Sequence, residues 1–135
     1  MISKQTKALV NYWATTADHD FSTIGILFKA GKYAESLFFG HLVLEKILKA
    51  LVVAKTEEQA PKIHDLIRLT EIAKTVLNKS EIKLLNKANS FNLRARYPDY
   101  KFSFYKLATK KYTQRYIKEI ESLYKKLCHE LKQQK

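Results

Sequence analysis

Glycine and proline, the residues that most often form tight turns, are scarce in this sequence: 3 glycines and 2 prolines among 135 residues. A β-sheet fold needs a turn between successive strands, and those turns usually require these residues. Their scarcity disfavours an all-β fold and favours long helices joined by few loops. The apolar fraction of 46% and the charged fraction of 28% are typical of a globular protein rather than a disordered chain.

Cysteine occurs once, as Cys128. A single thiol cannot form an intramolecular disulfide, and cysteine-based zinc sites need several cysteine ligands. The sequence therefore predicts no internal disulfide, no metal site and no cofactor built on cysteine. A reducing, cytoplasmic location is the simplest interpretation.

Long apolar segments are also missing. Residues 1–7 lack the apolar stretch of a signal peptide, and the most apolar segment, residues 42–54, contains Glu45, Lys46 and Lys49. A membrane-spanning helix needs about 20 predominantly apolar residues. We therefore expect a soluble protein with no membrane partner.

Basic residues are in large excess, with 25 lysines and arginines against 13 acids and a net charge of +12. Residues 1–60 hold seven of the basic residues and six acids, whereas residues 61–135 hold eighteen basic residues and seven acids. This asymmetry predicts a polyanionic partner such as nucleic acid or a nucleotide. The alternative is a lysine-rich surface that only keeps the protein soluble.

Apolar residues recur at intervals of three and four residues, which is the period of an amphipathic helix. This pattern predicts helices over residues 4–28, 32–55 and 66–76, a fourth that begins at the N-cap Ser80, and a last one over residues 105–133. Residues 89–103 are expected to be irregular, with a break at Tyr97 because proline follows it. We predict an all-α fold, an antiparallel up-and-down bundle of four or five helices, in one domain over residues 1–135.

The second predicted helix is apolar on two faces, so we expect it at the centre of the bundle. His41 and Glu45 lie four residues apart on one of its apolar faces. They are therefore expected to form a buried polar pair with a structural role; a nucleotide or dimer site and a metal site, which would be short of ligands, are the alternatives. Lys46 and Lys49 are expected to face solvent.

A series of motifs is familiar in its order along the chain. The motifs include Gly31-Lys32-Tyr33, His41-x-x-x-Glu45-Lys46-x-x-Lys49-Ala50, His64-Asp65-Leu66 and Arg96-Tyr97-Pro98. Together they resemble the HEPN family (higher eukaryotes and prokaryotes nucleotide-binding) over nearly the whole chain.

The resemblance implies a compact helical bundle that is commonly a homodimer, and kinship with the helical domain of kanamycin-type nucleotidyltransferases. It also implies a separate minimal nucleotidyltransferase as a partner. Some HEPN proteins are metal-independent ribonucleases, whose signature is an arginine and a later histidine separated by about four to six residues. No arginine of this sequence has a histidine at that spacing, so the usual general base is missing.

We therefore predict a non-catalytic, homodimeric module that binds nucleotide or RNA phosphate; a divergent HEPN ribonuclease of a toxin–antitoxin pair is the alternative. No catalytic residue is assigned. Arginine forks suit phosphate oxygens, and tyrosine rings can stack on bases. The candidate binding residues are Arg94, Arg96, Tyr97, Asp99, Lys101, Lys110 and Arg115. A purely structural role, in which Arg96 pairs with Asp99 and Tyr97 packs into the core, is the competing interpretation.

Overall fold

The computed structural model describes residues 3–134, apart from the side chains of residues 98–101. This part of the chain is all-α, as predicted, and contains six helices and no strand. The helices are α1 (Lys4–Lys29), α2 (Tyr33–Thr56), α3 (Leu66–Ala73), α4 (Lys79–Arg96), α5 (Pro98–Leu107) and α6 (Lys110–Lys132). None of the described helices is both long enough and apolar enough to cross a bilayer.

The four long helices α1, α2, α4 and α6 form the bundle. α1 and α2 are antiparallel and are joined by a turn at Gly31, whose φ of 78° is favourable for glycine. α4 and α6 are also antiparallel, because Glu81 near the start of α4 pairs with Lys126 near the end of α6. The predicted up-and-down bundle is therefore confirmed, with α3 and α5 as short additional helices.

Helix α2 lies at the centre, as its two apolar faces predict. It packs against α1, α3, α4 and α6, and Leu37, Leu44, Leu48 and Leu51 along it are completely buried. At Gly40 α2 packs closely against α6, because a Cβ atom there would lie 2.6 Å from Cδ1 of Ile120. The small residue therefore permits the contact between these two helices.

Three predicted helix boundaries are wrong. The third helix ends at Ala73 rather than at residue 76, because Lys74 adopts the left-handed conformation that ends it. The N-cap of α4 is Asn78 rather than Ser80, because Asn78 and Glu81 form a capping box in which each side chain accepts from the backbone N–H of the other. The stretch 89–103 is mostly helical rather than irregular, since α4 continues to Arg96 and α5 begins at Pro98.

The predicted break at Tyr97 is present, and Tyr97 alone is extended between α4 and α5, with φ −107° and ψ 128°. Proline restricts the residue before it but is well suited to the first position of a helix. Thr109 is the N-cap of α6, and its side chain accepts from the backbone N–H of Tyr112. The single last helix of the prediction is therefore two helices.

Candidate functional site

Arg94 and Arg96, the two arginines of the predicted site, leave α4 in different directions. The Arg94 guanidinium donates to Oγ of Ser103 at 3.0 Å and lies over the Phe104 ring at 5.6 Å, so it faces α5. Arg96 donates to Oδ1 of Asn92 at 2.7 Å. Residues two apart on a helix point to different sides, so these arginines belong to two surfaces.

Arg94 borders a cluster of aromatic rings made by α4, α5 and α6. The rings in mutual contact are Phe91, Phe104, Tyr112 and Tyr116. Arg115 lies on the far side of the cluster, 4.9 Å from the Tyr116 ring centroid. Arg94 and Arg115 both act to lower the pKa of Tyr112, but burial is the largest effect and raises it. The structure therefore brings these two predicted cations to one aromatic surface.

A basic cleft of about 440 Å³ runs between α4 and α6. We call it the α4–α6 cleft; its lining includes Ser80, Lys83, Lys87, Arg115, Tyr116 and Glu119. Lys83 and Lys87 are exposed and lie four residues apart, on one face of α4. Neither forms an ion pair with any residue that the structure describes, whereas Arg115 contacts Glu119 at 3.3 Å.

The sequence prediction missed Lys83 and Lys87, although one signal for them was present. They lie four residues apart on a helix whose buried positions, Leu84, Leu85 and Ala88, fall on its other side. The sequence cannot show that this basic face lies opposite Arg115, because that depends on how α4 packs against α6.

Arg96 faces a second, smaller pocket between α2, α4 and α5. Its volume is about 250 Å³, and we call it the Arg96 pocket; its lining includes Glu35, Phe38, Phe39, Arg96, Phe104 and Tyr105. The Arg96 guanidinium lies 5.6 Å from the Phe38 ring centroid. The Tyr105 hydroxyl donates to the Glu35 carboxylate at 3.1 Å, and burial together with this carboxylate raises the pKa of Tyr105.

The remaining predicted residues are scattered around these surfaces. Tyr97 is 53% exposed, which contradicts the alternative that it packs into the core. Lys110 is exposed at the start of α6. The side chains of Asp99 and Lys101 lie outside the described residues, so the Arg96–Asp99 pairing stays a prediction.

A buried polar network lies at the centre of the molecule, around Glu45. Glu45 accepts from Nζ of Lys49 at 2.9 Å and from Nδ1 of His64 at 3.0 Å. His41 is fully buried, but its Nδ1 is 3.8 Å from Glu45, beyond hydrogen-bonding distance. Instead, Nε2 of His41 donates to the backbone carbonyl of His64 at 2.9 Å.

The prediction that Lys49 faces solvent is wrong. Lys49 is only 5% exposed, because its ammonium group pairs with Glu45 and lies 5.1 Å from the centre of the Trp13 ring. A lysine can be buried when a carboxylate and an aromatic face replace its hydration. Lys46, by contrast, reaches the surface and pairs with Asp20 at 2.6 Å.

The hydrogen bonds of the network determine the proton positions on both imidazoles. His41 donates through Nε2, which leaves its buried Nδ1 without a hydrogen-bond partner among the described residues. Burial lowers the pKa of His41, although Glu45 opposes the effect. His64 donates to Glu45 through Nδ1, and its side chain is 56% exposed. His64 is therefore an imidazole held by a buried carboxylate.

Neither a metal site nor a reactive thiol is evident in the described part of the chain. No group of three histidine, cysteine, aspartate or glutamate side chains there could hold a metal ion. Burial raises the pKa of the Cys128 thiol, whereas reactive cysteines have a lowered pKa.

Of three comparisons with known proteins, one finds a match. No curated protein and no solved structure matches the chain. A family model, that of the HEPN domain, matches residues 10–131, which include all of α2 to α5, most of α1 and nearly all of α6. The chain therefore belongs to the HEPN family.

Proposed function

We propose that this HEPN domain is a non-catalytic binding module that holds RNA or nucleotide phosphate and acts with a separate nucleotidyltransferase. The observation that carries the proposal is the α4–α6 cleft, where Lys83, Lys87 and Arg115 converge. A cleft lined by charges of one sign concentrates counter-ions of the opposite sign, and phosphate is the anion that such cations bind in nucleic acids.

The basic surface extends beyond the cleft itself. Arg94 lies against the Phe104 ring and Arg115 lies against the Tyr116 ring. Phe91 contacts both rings, so one aromatic cluster connects Arg94 to the cleft. A strand of RNA has alternating phosphates and flat bases, and the partly exposed Tyr112 ring beside these cations offers a face to one base.

Binding of a fluorescently labelled single-stranded RNA tests the proposal. We expect the double charge reversal Lys83→Glu/Lys87→Glu to weaken binding at least tenfold. It should also reduce the slope of log affinity against log salt by about 1.4, since each phosphate contact of a single strand contributes about 0.7.

The matched control is Lys4→Glu/Lys7→Glu, which changes the net charge equally at two exposed positions of α1. An equal loss of affinity in both variants would show that only net charge matters and would contradict the cleft. If the wild type binds no RNA and no nucleotide, the proposal is wrong, and a role in protein binding alone remains.

The finer features of the proposal rest on family membership. The predicted homodimer and nucleotidyltransferase partner are features that HEPN relatives imply, and kinship with kanamycin-type nucleotidyltransferases would account for the partner. Co-purification with a minimal nucleotidyltransferase encoded beside this chain tests the partnership. Recovery of the HEPN protein alone under low salt would contradict it.

Metal-independent RNA cleavage is a second candidate function, which one observation favours. The sequence lacks the usual motif histidine, but His64 presents an imidazole whose Nδ1 is held by buried Glu45. Such a pair suits a general base. Nε2 would accept the proton of a ribose 2′-hydroxyl as O2′ bonds to phosphorus; the P–O5′ bond then breaks and O5′ takes a proton from water.

Incubation of RNA with the purified protein in EDTA separates the two candidates. The cleavage hypothesis expects a product with a 2′,3′-cyclic phosphate, lost in His64→Gln and retained in His129→Gln, which alters an exposed histidine of α6. Binding without cleavage would favour the non-catalytic module.

A further inference from the structure

The Arg96 pocket has the dimensions of a site for one small ring system. Its volume is about 250 Å³, whereas pockets for drug-sized ligands usually measure about 300–1,000 Å³. The pocket therefore suits a ligand the size of one small ring system rather than a peptide segment.

The shape of the lining favours a flat ligand. Phe104 is completely buried and forms part of the pocket wall, while Phe38 and Phe39 are half-buried. Such apolar, aromatic walls accept a planar heterocycle largely without regard to its hydrogen-bonding groups. The aromatic lining thus selects a nucleobase as a class, and the polar groups must select among bases.

Two groups of opposite charge line this pocket without pairing with each other. Within the described part of the chain, Glu35 and Arg96 form no ion pair, and only the Tyr105 hydroxyl donates to the Glu35 side chain. Oε1 and the second lone pair of Oε2 are therefore left for two ligand donors. The complementary ligand has N–H donors at one edge and acceptors at another.

Guanine is the RNA base with this arrangement. Its Watson–Crick edge has two adjacent N–H donors, which suit a carboxylate, and its O6 and N7 are the acceptors that arginine binds. Adenine and cytosine place an acceptor beside their amino group, and uracil flanks its one donor with two carbonyls. An acceptor facing Glu35 would be repelled.

We infer that the Arg96 pocket binds a guanine base, carried by a free nucleotide or by RNA. The inference rests on the proposed function, because the ligand that places its guanine in this pocket is also the one whose phosphate binds to the protein. Glu35 accepts from the N1 and amino N–H groups, Arg96 donates to O6 and N7, and the apolar edges of Phe38 and Phe39 contact the ring.

Calorimetric titration with the monophosphates of guanosine, adenosine, cytidine and uridine, and with guanosine itself, tests the inference. We expect the wild type to bind guanosine monophosphate at least tenfold more tightly than the other three nucleotides. Glu35→Gln should remove this preference, because an amide has only one acceptor oxygen and places donors against the guanine donors. Tyr105→Phe is the control that keeps the carboxylate and should keep the preference.

Equal affinity for all four nucleotides, or an unchanged preference in folded Glu35→Gln, would overturn the inference. The wild-type preference is decisive even if the variant fails to fold by circular dichroism. If the pocket instead holds an apolar side chain of a partner protein, no nucleotide will bind there, and that result also overturns the inference.

The cleft variant Lys83→Glu/Lys87→Glu distinguishes this inference from the proposed function. If the pocket and cleft are both correct, the variant loses affinity for RNA but still prefers guanosine to adenosine. If the protein binds RNA but shows no guanine preference, only the inference about the pocket is wrong. If it prefers guanosine but binds no RNA, RNA is not the source of the guanine. A uridine oligonucleotide with and without one guanosine then separates RNA from free nucleotide.

Discussion

Glu45 shows how single residues determine the stability of the centre of this molecule. Its carboxylate is 5% exposed and is surrounded by Lys49 and the imidazole of His64. Charges removed from water are costly unless each is paired. Removing one partner should therefore harm the protein far more than removing a surface ion pair.

Lys49→Met should lower the free energy of unfolding by about 3–5 kcal/mol, because it leaves the Glu45 charge buried with less compensation. Urea unfolding measures the change. The matched control is Lys125→Met: its pair with Glu121 has the same four-residue spacing and a 3.0 Å contact, but Lys125 is 70% exposed. That loss should be at most about 1 kcal/mol. Equal losses would contradict the buried pair.

The buried His41 should make stability depend on pH. Burial lowers its pKa in the folded state, so between that value and the unfolded pKa of about 6.5 the unfolded chain binds more protons. Its contribution is therefore complete above pH about 6.5 and is lost as the pH falls toward the folded pKa. The free energy of unfolding, measured at pH 5.5 and at pH 7.5, tests this dependence.

His41→Gln is the control for this effect, since glutamine can still donate to the His64 carbonyl but does not titrate. The His41 part of the pH dependence should disappear in that variant. An identical dependence in both proteins would assign it to other groups.

For individual residues, the sequence was a better guide to the types of residue that matter than to their positions in the fold. Burial of His41 and Glu45 follows from an apolar helix face, and both are buried. Burial of Lys49 does not, because it needs the Trp13 ring of another helix.

Helix α2 shows how a single element organises the bundle. Its contact with α6 depends on Gly40, where a Cβ atom would lie 2.6 Å from Ile120. Ile120 is completely buried and has little room to move. The glycine is therefore a packing requirement, whereas a Cβ atom added to Gly25 on α1 would have no neighbouring atom within 4 Å.

Gly40→Val should destabilise the protein by about 1–3 kcal/mol, the usual effect of overfilling a core. Gly25→Ala should stabilise it by up to about 1 kcal/mol, since alanine is the better helix former. Thermal unfolding monitored by circular dichroism compares both. Combining Gly40→Val with Ile120→Val should recover part of the loss, and no recovery would argue against this contact.

Among the helices, the positions of α1 and α2 could be predicted because their apolar residues recur over six or more turns. The region of α4 to α6 was harder to predict. Asn78 and Ser80 are both good N-cap residues, and only the reciprocal bond with Glu81 distinguishes them. Pro98 predicts a break at Tyr97 but does not reveal that a new helix begins immediately.

Most of the net positive charge of the whole molecule lies on α4 and α6, and several exposed apolar residues lie on or between α4 and α5. Leu93, Tyr97 and Phe102 are 48%, 53% and 76% exposed. Large exposed apolar groups often mark association surfaces, which supports the proposed homodimer.

Light scattering after size exclusion should give twice the chain mass of 15.8 kDa for the wild type. Phe102→Glu should shift the mass to that of the monomer, because it would bury a charge in the interface. Val76→Glu is the control, since Val76 is 87% exposed beyond the end of α3. A monomeric wild type would refute the dimer, and a dimeric Phe102→Glu would place the interface elsewhere.

The all-α fold, the central helix and the excess of positive charge in the second half could all be read from the sequence alone. These features follow from composition and from periods within one segment, which are local properties of the chain. The separation of Arg94 from Arg96, the position of Lys83 and Lys87 opposite Arg115, and the bond of His64 to Glu45 appeared only in the folded molecule. Each of these depends on the relative rotation and position of helices distant in sequence, which core packing decides and local pattern does not record.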